Sequence, residues 1–161
     1  LARADAGNRF EKSRISLDDL LRDVIRQMAS QAGEVTIESG EIEPVAVEAN
    51  VVWLKQLFLI LIDNALKYTP SGGVVRLSLV RDDARAIVRV SDNGIGIAAE
   101  DLPHIFDRFY RADKARARDE GGAGLGLSIA RWIAQQHDAV LEAESAQGSG
   151  TTFILSIAAV E

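Results

Sequence analysis

The sequence predicts an α/β fold, a two-layer sandwich in which helices pack on one face of a mixed β-sheet. Three observations carry that expectation. Apolar residues recur at helical spacing in three separated segments, and short alternating stretches come in pairs between them. The resulting order, α-β-β-α-β-β-α-β-β, closes one layer of helices over one sheet. A chain of 161 residues is long enough for one substantial core, burying about 70% of the surface of the unfolded chain.

Residues 1–15 read as the tail of a preceding helix or a linker, polar and alanine-rich, with the domain itself at 16–161. Ser16 fits an N-cap with Asp19 three residues on, and Leu17, Leu20, Leu21, Val24, Ile25 and Met28 give the helix one apolar face. Gly33 is placed to end it. Residues 35–39 and 44–48 read as strands joined at Glu43-Pro44. Asn50 can cap a second helix with a wide stripe of Leu54, Leu57, Phe58, Leu61, Ile62 and Ala65, stopped by Pro70-Ser71-Gly72-Gly73. Strands at 74–81 and 85–91 flank a polar turn, and a short helical stretch is expected near 99–107. A third helix over 125–137 carries Leu125, Ile129, Trp132 and Ile133. Strands at 139–144 and 151–158 flank Gln147-Gly148-Ser149-Gly150.

Composition narrows the function. With no cysteine, disulfides, thiolate metal sites and cysteine nucleophiles are excluded. The two histidines, His104 and His137, lie far apart and make no zinc site. A net charge of −6 argues against a nucleic-acid partner. No apolar run approaches the roughly 20 residues of a membrane span. The chain starts at Leu1 without a methionine and reads as a piece of a longer protein. Against the negative background, Arg108, Arg111, Lys114, Arg116 and Arg118 fall within eleven residues. Such a cluster is either a solvated loop or a cover for an anionic ligand, and the glycines beside it favour the second.

Three segments carry candidate chemistry. Asn64-Ala65-Leu66-Lys67-Tyr68 ends the second helix. An asparagine there either bonds locally or offers a carbonyl oxygen to Mg²⁺, and Lys67 can reach a phosphate. Asp92-Asn93-Gly94-Ile95-Gly96 follows a strand: an ordinary turn, or a carboxylate accepting from an exocyclic amine where glycines admit a flat base. Residues 94–99 also match a short dinucleotide fingerprint, but Pro103 comes early and no acidic strand end follows about twenty residues on. Gly121-Gly122-Ala123-Gly124-Leu125-Gly126-Leu127-Ser128 opens the third helix, where N–H groups can hold phosphate. It almost spells a P-loop, but Leu127 stands where that motif needs lysine.

In this order and spacing the three segments resemble the N, G1 and G2 boxes of the histidine-kinase branch of the ATPase superfamily that also contains gyrase, Hsp90 and MutL. Ile105-Phe106-Asp107-Arg108-Phe109-Tyr110-Arg111 looks like its F box, and Gly148-Ser149-Gly150-Thr151-Thr152-Phe153 like its glycine-threonine turn. The resemblance spans about residues 16 to 158. It implies a Bergerat-type fold, a mixed five-stranded sheet with three helices, binding ATP with Mg²⁺. Asn64 would bind the metal and Lys67 a phosphate. Tyr68 would lie against adenine and Asp92 would accept from its amino group, with Gly94 and Gly96 allowing the approach. Arg108 and Arg111 would reach phosphates from a lid over about 107–123. Gly122, Gly124, Leu125 and Gly126 would receive them at the helix start, and Thr152 completes the set.

The hydrolysing members of that superfamily carry a glutamate four residues before the metal-binding asparagine, and here the residue is Ile60. Without a general base, typically worth 10²–10⁴-fold, water is a poor nucleophile, which favours a transferase. The family's phosphoacceptor motif, a histidine before Glu or Asp and then Leu-Arg-x-Pro, is missing: His137-Asp138 is followed by Ala139-Val140, and His104 sits beside Pro103. The resemblance therefore implies a catalytic fragment of a sensor histidine kinase. It would act on a dimerisation domain of the same protein, signal to a response regulator, be monomeric itself within a homodimeric parent, and lie on the cytoplasmic side. A serine-directed kinase of the anti-sigma type and a non-catalytic nucleotide-sensing module are the alternatives. At the end of the third helix, His137 is placed to favour a partly cationic ring.

Overall fold

The computed structural model describes residues 11–110 and 126–160. Among them are seven strands and three α-helices: β1 (Ser13–Ser16), α1 (Leu17–Ala29), β2 (Thr36–Ile42), β3 (Ala46–Ala49), α2 (Val51–Lys67), β4 (Val74–Asp82), β5 (Arg85–Asp92), α3 (Gly126–Gln136), β6 (Val140–Ser145) and β7 (Thr151–Val160). β2 runs parallel to β4 and the remaining pairs are antiparallel, so the sheet is mixed as expected.

The count of seven, against the five that the resemblance implies, has a simple origin. β6, β7, β5, β4 and β2 form one five-stranded ladder. β3 then joins the far end of β7 through Ala46 and Val47, and β1 pairs with β3. Residues 13–15, read in the sequence with the preceding segment, thus belong to the sheet. Ser-Arg-Ile-Ser has a single apolar residue, Ile15, too little alternation to signal a strand.

The helices bury one face of this sheet. Val75, Leu77 and Leu79 of β4 meet Val88 and Val90 of β5 and Phe153, Leu155 and Ile157 of β7, all within 2% of complete burial. Over them lies the stripe of α2, in which Leu54, Leu57, Phe58, Leu61, Ile62 and Ala65 are buried as the sequence predicts. Burying each large side chain stabilises the fold by about 1.5–3 kcal/mol. The Asn50 cap also forms, its Oδ1 accepting from Trp53 N–H at 3.1 Å.

Ser16 does precede α1, but its hydroxyl does not cap the helix. It donates to Asp18 Oδ1 at 2.7 Å, and that carboxylate also accepts from Arg22 at 3.0 Å and from Val45 N–H at 3.2 Å. Burial pulls the Asp18 pKa upward, but the bonds from Ser16, Arg22 and the backbone outweigh it and hold the carboxyl below its ordinary value. The helix ends at Ala29 with Ser30 as its C-cap, and Gly33 lies in the following turn at φ +62°. Near 99–107 there is only a 3-10 turn, Leu102–His104, because Pro103 supplies no N–H to extend it.

In α3 the buried face is Ala130, Ile133 and Ala134, whereas Ile129 and Trp132 are 41% and 42% exposed. Ile133 is thus buried as expected, Ile129 and Trp132 are not, and Leu125 lies outside the described residues. α3 packs chiefly against α2, where Trp132 meets Trp53 edge-on at 5.5 Å. His137 is not a cationic helix end. It is buried, Nε2 accepts from Asn50 N–H at 3.1 Å, and Nδ1 faces the Ile133 carbonyl at 2.8 Å. Nδ1 therefore carries the proton of a neutral ring, and burial pushes its pKa down.

Candidate nucleotide site

The end of α2 and the ends of β5 and β7 meet through their backbones. Ile95 N–H donates to the Tyr68 carbonyl at 3.1 Å, and Gly148 N–H donates to the Ile95 carbonyl at 2.7 Å. The segment after β5 is thereby clamped between the α2 C-cap and the turn before β7. Asn93 is part of that clamp, its Oδ1 accepting from Val74 N–H at 2.8 Å.

Asp92 closes β5 on the core-facing side, in cross-strand register with Val75 and Thr151. Its Oδ1 accepts from Gly94 N–H at 2.9 Å and from Thr151 N–H at 3.3 Å. Among the described residues Oδ2 receives no hydrogen bond. Burial raises the pKa of this carboxyl, with the two N–H donors pulling the other way. A half-buried carboxylate with one oxygen held and the other open is suited to accept from an N–H-bearing ligand.

The glycines here have a different reason from the one their pattern suggests. A Cβ on Gly94 would lie 2.1 Å from the Tyr68 carbonyl oxygen, and one on Gly96, at φ +75°, would lie 2.0 Å from that of Ala146. They are required by backbone packed on backbone inside the protein, and the open edge at Asp92 is a consequence of that packing.

Asn64 lies on the last turn of α2, half-buried, and its amide makes no hydrogen bond with the described residues. An amide without partners among the described residues offers a hard neutral oxygen. No group of three or more His, Cys, Asp or Glu gathers among the described residues. A cation at Asn64 would take its other ligands from phosphate and water, the habit of Mg²⁺. Lys67 is held by Asp63 at 3.4 Å across one helical turn. This pair is partly exposed and weak, so an incoming phosphate can displace it. Tyr68 is the C-cap residue of α2.

Gly126 opens α3 with its α-carbon facing Ile60, whose Cγ2 lies 3.5 Å from where a Cβ would stand. The position at which a glutamate would activate water is therefore filled by an aliphatic side chain pressed on the start of α3. Arg108 stacks on the exposed Phe109 ring at 5.1 Å. Phe106 packs against Phe153 at 6.2 Å, anchoring that segment. Arg111, Gly122, Gly124 and Leu125, with the neighbouring Lys114, Arg116 and Arg118, lie outside the described residues.

Thr152 is on the opposite face of the sheet from Asp92, paired with Ser91 and 2.9 Å from its hydroxyl. The physical reason is the two-residue period of the strand. Thr151, absent from the sequence-derived set, takes the site-facing place. Its neighbour Ser145 was also missed. Thr151 is brought beside Asp92 by the β5–β7 register and Ser145 beside Thr151 by the β6–β7 register, neither of which local sequence specifies.

A family model described as histidine kinase-, DNA gyrase B- and HSP90-like ATPase matches residues 49–161. The chain belongs to this ATPase family. Within the family it is similar to the sensor histidine kinase YkoH of Bacillus subtilis (strain 168), 39% identical over 151 residues, which are 94% of this chain and 33% of that protein. The chain thus spans about a third of that curated relative. Among solved structures, the nucleotide-free catalytic domain of histidine kinase ThkA superposes with TM-score 0.80 at 25% identity, covering 92% of this chain and 97% of that one. Full-length ShkA in complex with AMPPNP gives TM-score 0.79 at 26% identity, covering 92% of this chain and 32% of that one. These likenesses favour the histidine-kinase branch of the ATPase family over the alternatives raised by the sequence.

Proposed function

We propose that this chain is the ATP-binding catalytic domain of a sensor histidine kinase. It takes Mg²⁺-ATP and passes the γ-phosphoryl group to a histidine on a dimerisation domain of the same protein, which then serves a response regulator. The observation that carries the reading is Asp92, held at a strand end by Gly94 and Thr151 with its second oxygen open. Asp92 accepts from the adenine amino group. Tyr68 borders the base, and Lys67 exchanges Asp63 for a phosphate. Gly126 begins the helix whose N-terminal field favours anions, and phosphate contacts from Arg108, Arg111, Gly122 and Gly124 are what the family resemblance implies.

Bound Mg²⁺ would neutralise phosphate charge, with Asn64 as its protein ligand. Ile60 places no base at the position where the hydrolysing members carry glutamate, so the phosphoryl group waits for a histidine supplied from outside. No helix among the described residues is long and apolar enough to cross a membrane; the cytoplasmic side of a membrane-anchored parent is the location the histidine-kinase reading implies.

Titration with ATP by calorimetry, with and without Mg²⁺, tests the reading. Wild-type chain binds ATP more tightly with Mg²⁺, and Asn64→Ala removes most of that difference while keeping the Mg²⁺-independent part. An identical Mg²⁺ dependence in the variant would take the metal away from Asn64, and no binding by wild type would overturn the reading.

A further inference from the structure

Ser145, the last residue of β6, has every bonding position of its hydroxyl in use. Its Oγ donates to the Gly150 carbonyl at 2.8 Å, accepts from Ile97 N–H at 2.7 Å, and lies 2.9 Å from Thr151 Oγ1. A hydroxyl owns one proton and two lone pairs. The Gly150 carbonyl can only accept, so the Ser145 proton is committed there. The proton in the Ser145–Thr151 contact therefore belongs to Thr151. That leaves Thr151 with lone pairs and no proton to offer, on the residue whose N–H holds Asp92 Oδ1 at 3.3 Å. Asp92 Oδ2 as a carboxylate oxygen also carries lone pairs alone.

We propose that Ser145 is a specificity-determining positioning residue. By fixing the Thr151 hydroxyl as an acceptor, it makes the base-reading edge one that only proton-bearing groups satisfy. The inference rests on the reading of Asp92 as the base-recognising carboxylate and adds to it the orientation of a neighbouring hydroxyl. A 6-amino purine brings two N–H protons to such an edge. A 6-oxo purine brings a carbonyl and meets acceptors. Groups that oppose lone pair to lone pair are rejected because neither can be satisfied once water is excluded. Ser145 also ties Ile97 and Gly150 together, so the edge is fixed on both sides of Asp92.

The test compares affinities for ATP and inosine triphosphate in wild type, Ser145→Ala, Thr151→Val and the double variant. Ser145→Ala frees the Thr151 hydroxyl to turn and donate to the 6-oxo group. The ATP-to-inosine-triphosphate affinity ratio should fall by about threefold or more, the scale of one neutral hydrogen bond. In the Thr151→Val background the same Ser145 change should leave the ratio alone, because no hydroxyl remains to turn. A role confined to holding the loops would instead lower both affinities together and in both backgrounds. Ser145→Cys, with its weak thiol, gives the same fall if the alanine variant does not fold, and Ser145→Thr restores the wild-type ratio. An unchanged ratio in Ser145→Ala or Ser145→Cys overturns the proposal, as does an equal fall without the Thr151 hydroxyl. Wild-type chain that binds no ATP overturns the reading beneath it as well.

Discussion

Replacing Asp92 by asparagine separates the two jobs of that residue. The asparagine carbonyl can take the place of Oδ1 and keep the bonds from Gly94 at 2.9 Å and Thr151 at 3.3 Å. Its amide nitrogen then occupies the place of Oδ2 and turns a donor toward the adenine amine. The loss of a hydrogen bond to a charged group, about 1.5–3 kcal/mol, corresponds to a tenfold to more than hundredfold fall in ATP affinity. Stability should move the other way. Burial raises the Asp92 pKa in the folded chain above its ordinary 3.8, so the folded state binds this proton more tightly than the unfolded chain does. Its favourable contribution is present at low pH and is lost as pH rises through the raised value. At pH 7 the ionised carboxylate is a burden on the fold that asparagine lacks. Calorimetry and a thermal melt at pH 7 read both effects, with affinity expected to fall and Tm to hold or rise. ATP affinity within about threefold of wild type, less than one hydrogen bond is worth, would refute the reasoning.

Two further predictions concern the fold around the site. Gly96→Ala places a Cβ 2.0 Å from the Ala146 carbonyl at a φ of +75°, and should cost about 3 kcal/mol from strain and overpacking together, read by urea unfolding. His137 is neutral in the fold, its pKa lowered below 6.5 by burial. Its contribution is therefore complete above that ordinary value and lost as pH falls below it. Tm should drop between pH 7 and pH 5, and His137→Gln should flatten that part of the curve.

Much of the fold was legible because the local and tertiary signals agree. Asn50 caps α2 and the stripe from Leu54 to Ala65 is buried, since cap and periodicity specify the same helix. Where the information is not local, the reading failed. Of the apolar residues that mark α3 in the sequence, Ile133 is buried but Ile129 and Trp132 are partly exposed, and Ala130 and Ala134 fill the rest of the buried face. The strand β1 exists because β3 offers it an edge. At the site, Asp92, Asn64 and the glycines were visible as residue types in the right order. The reason for the glycines was not, because Gly94 meets Tyr68 and Gly96 meets Ala146 only after the chain has closed on itself. Thr151 and Thr152 are distinguished by strand parity and register alone.

Phosphoryl transfer to histidine is the chemistry proposed for this site. The most direct measurement incubates this chain with γ-labelled ATP, Mg²⁺ and the dimerisation domain of its parent protein, and follows the label. The account predicts alkali-stable, acid-labile label on that domain and only slow release of free phosphate, with both label and Mg²⁺ dependence lost in Asn64→Ala. Acid-stable label on serine, or rapid release of free phosphate with no labelled protein, would contradict it.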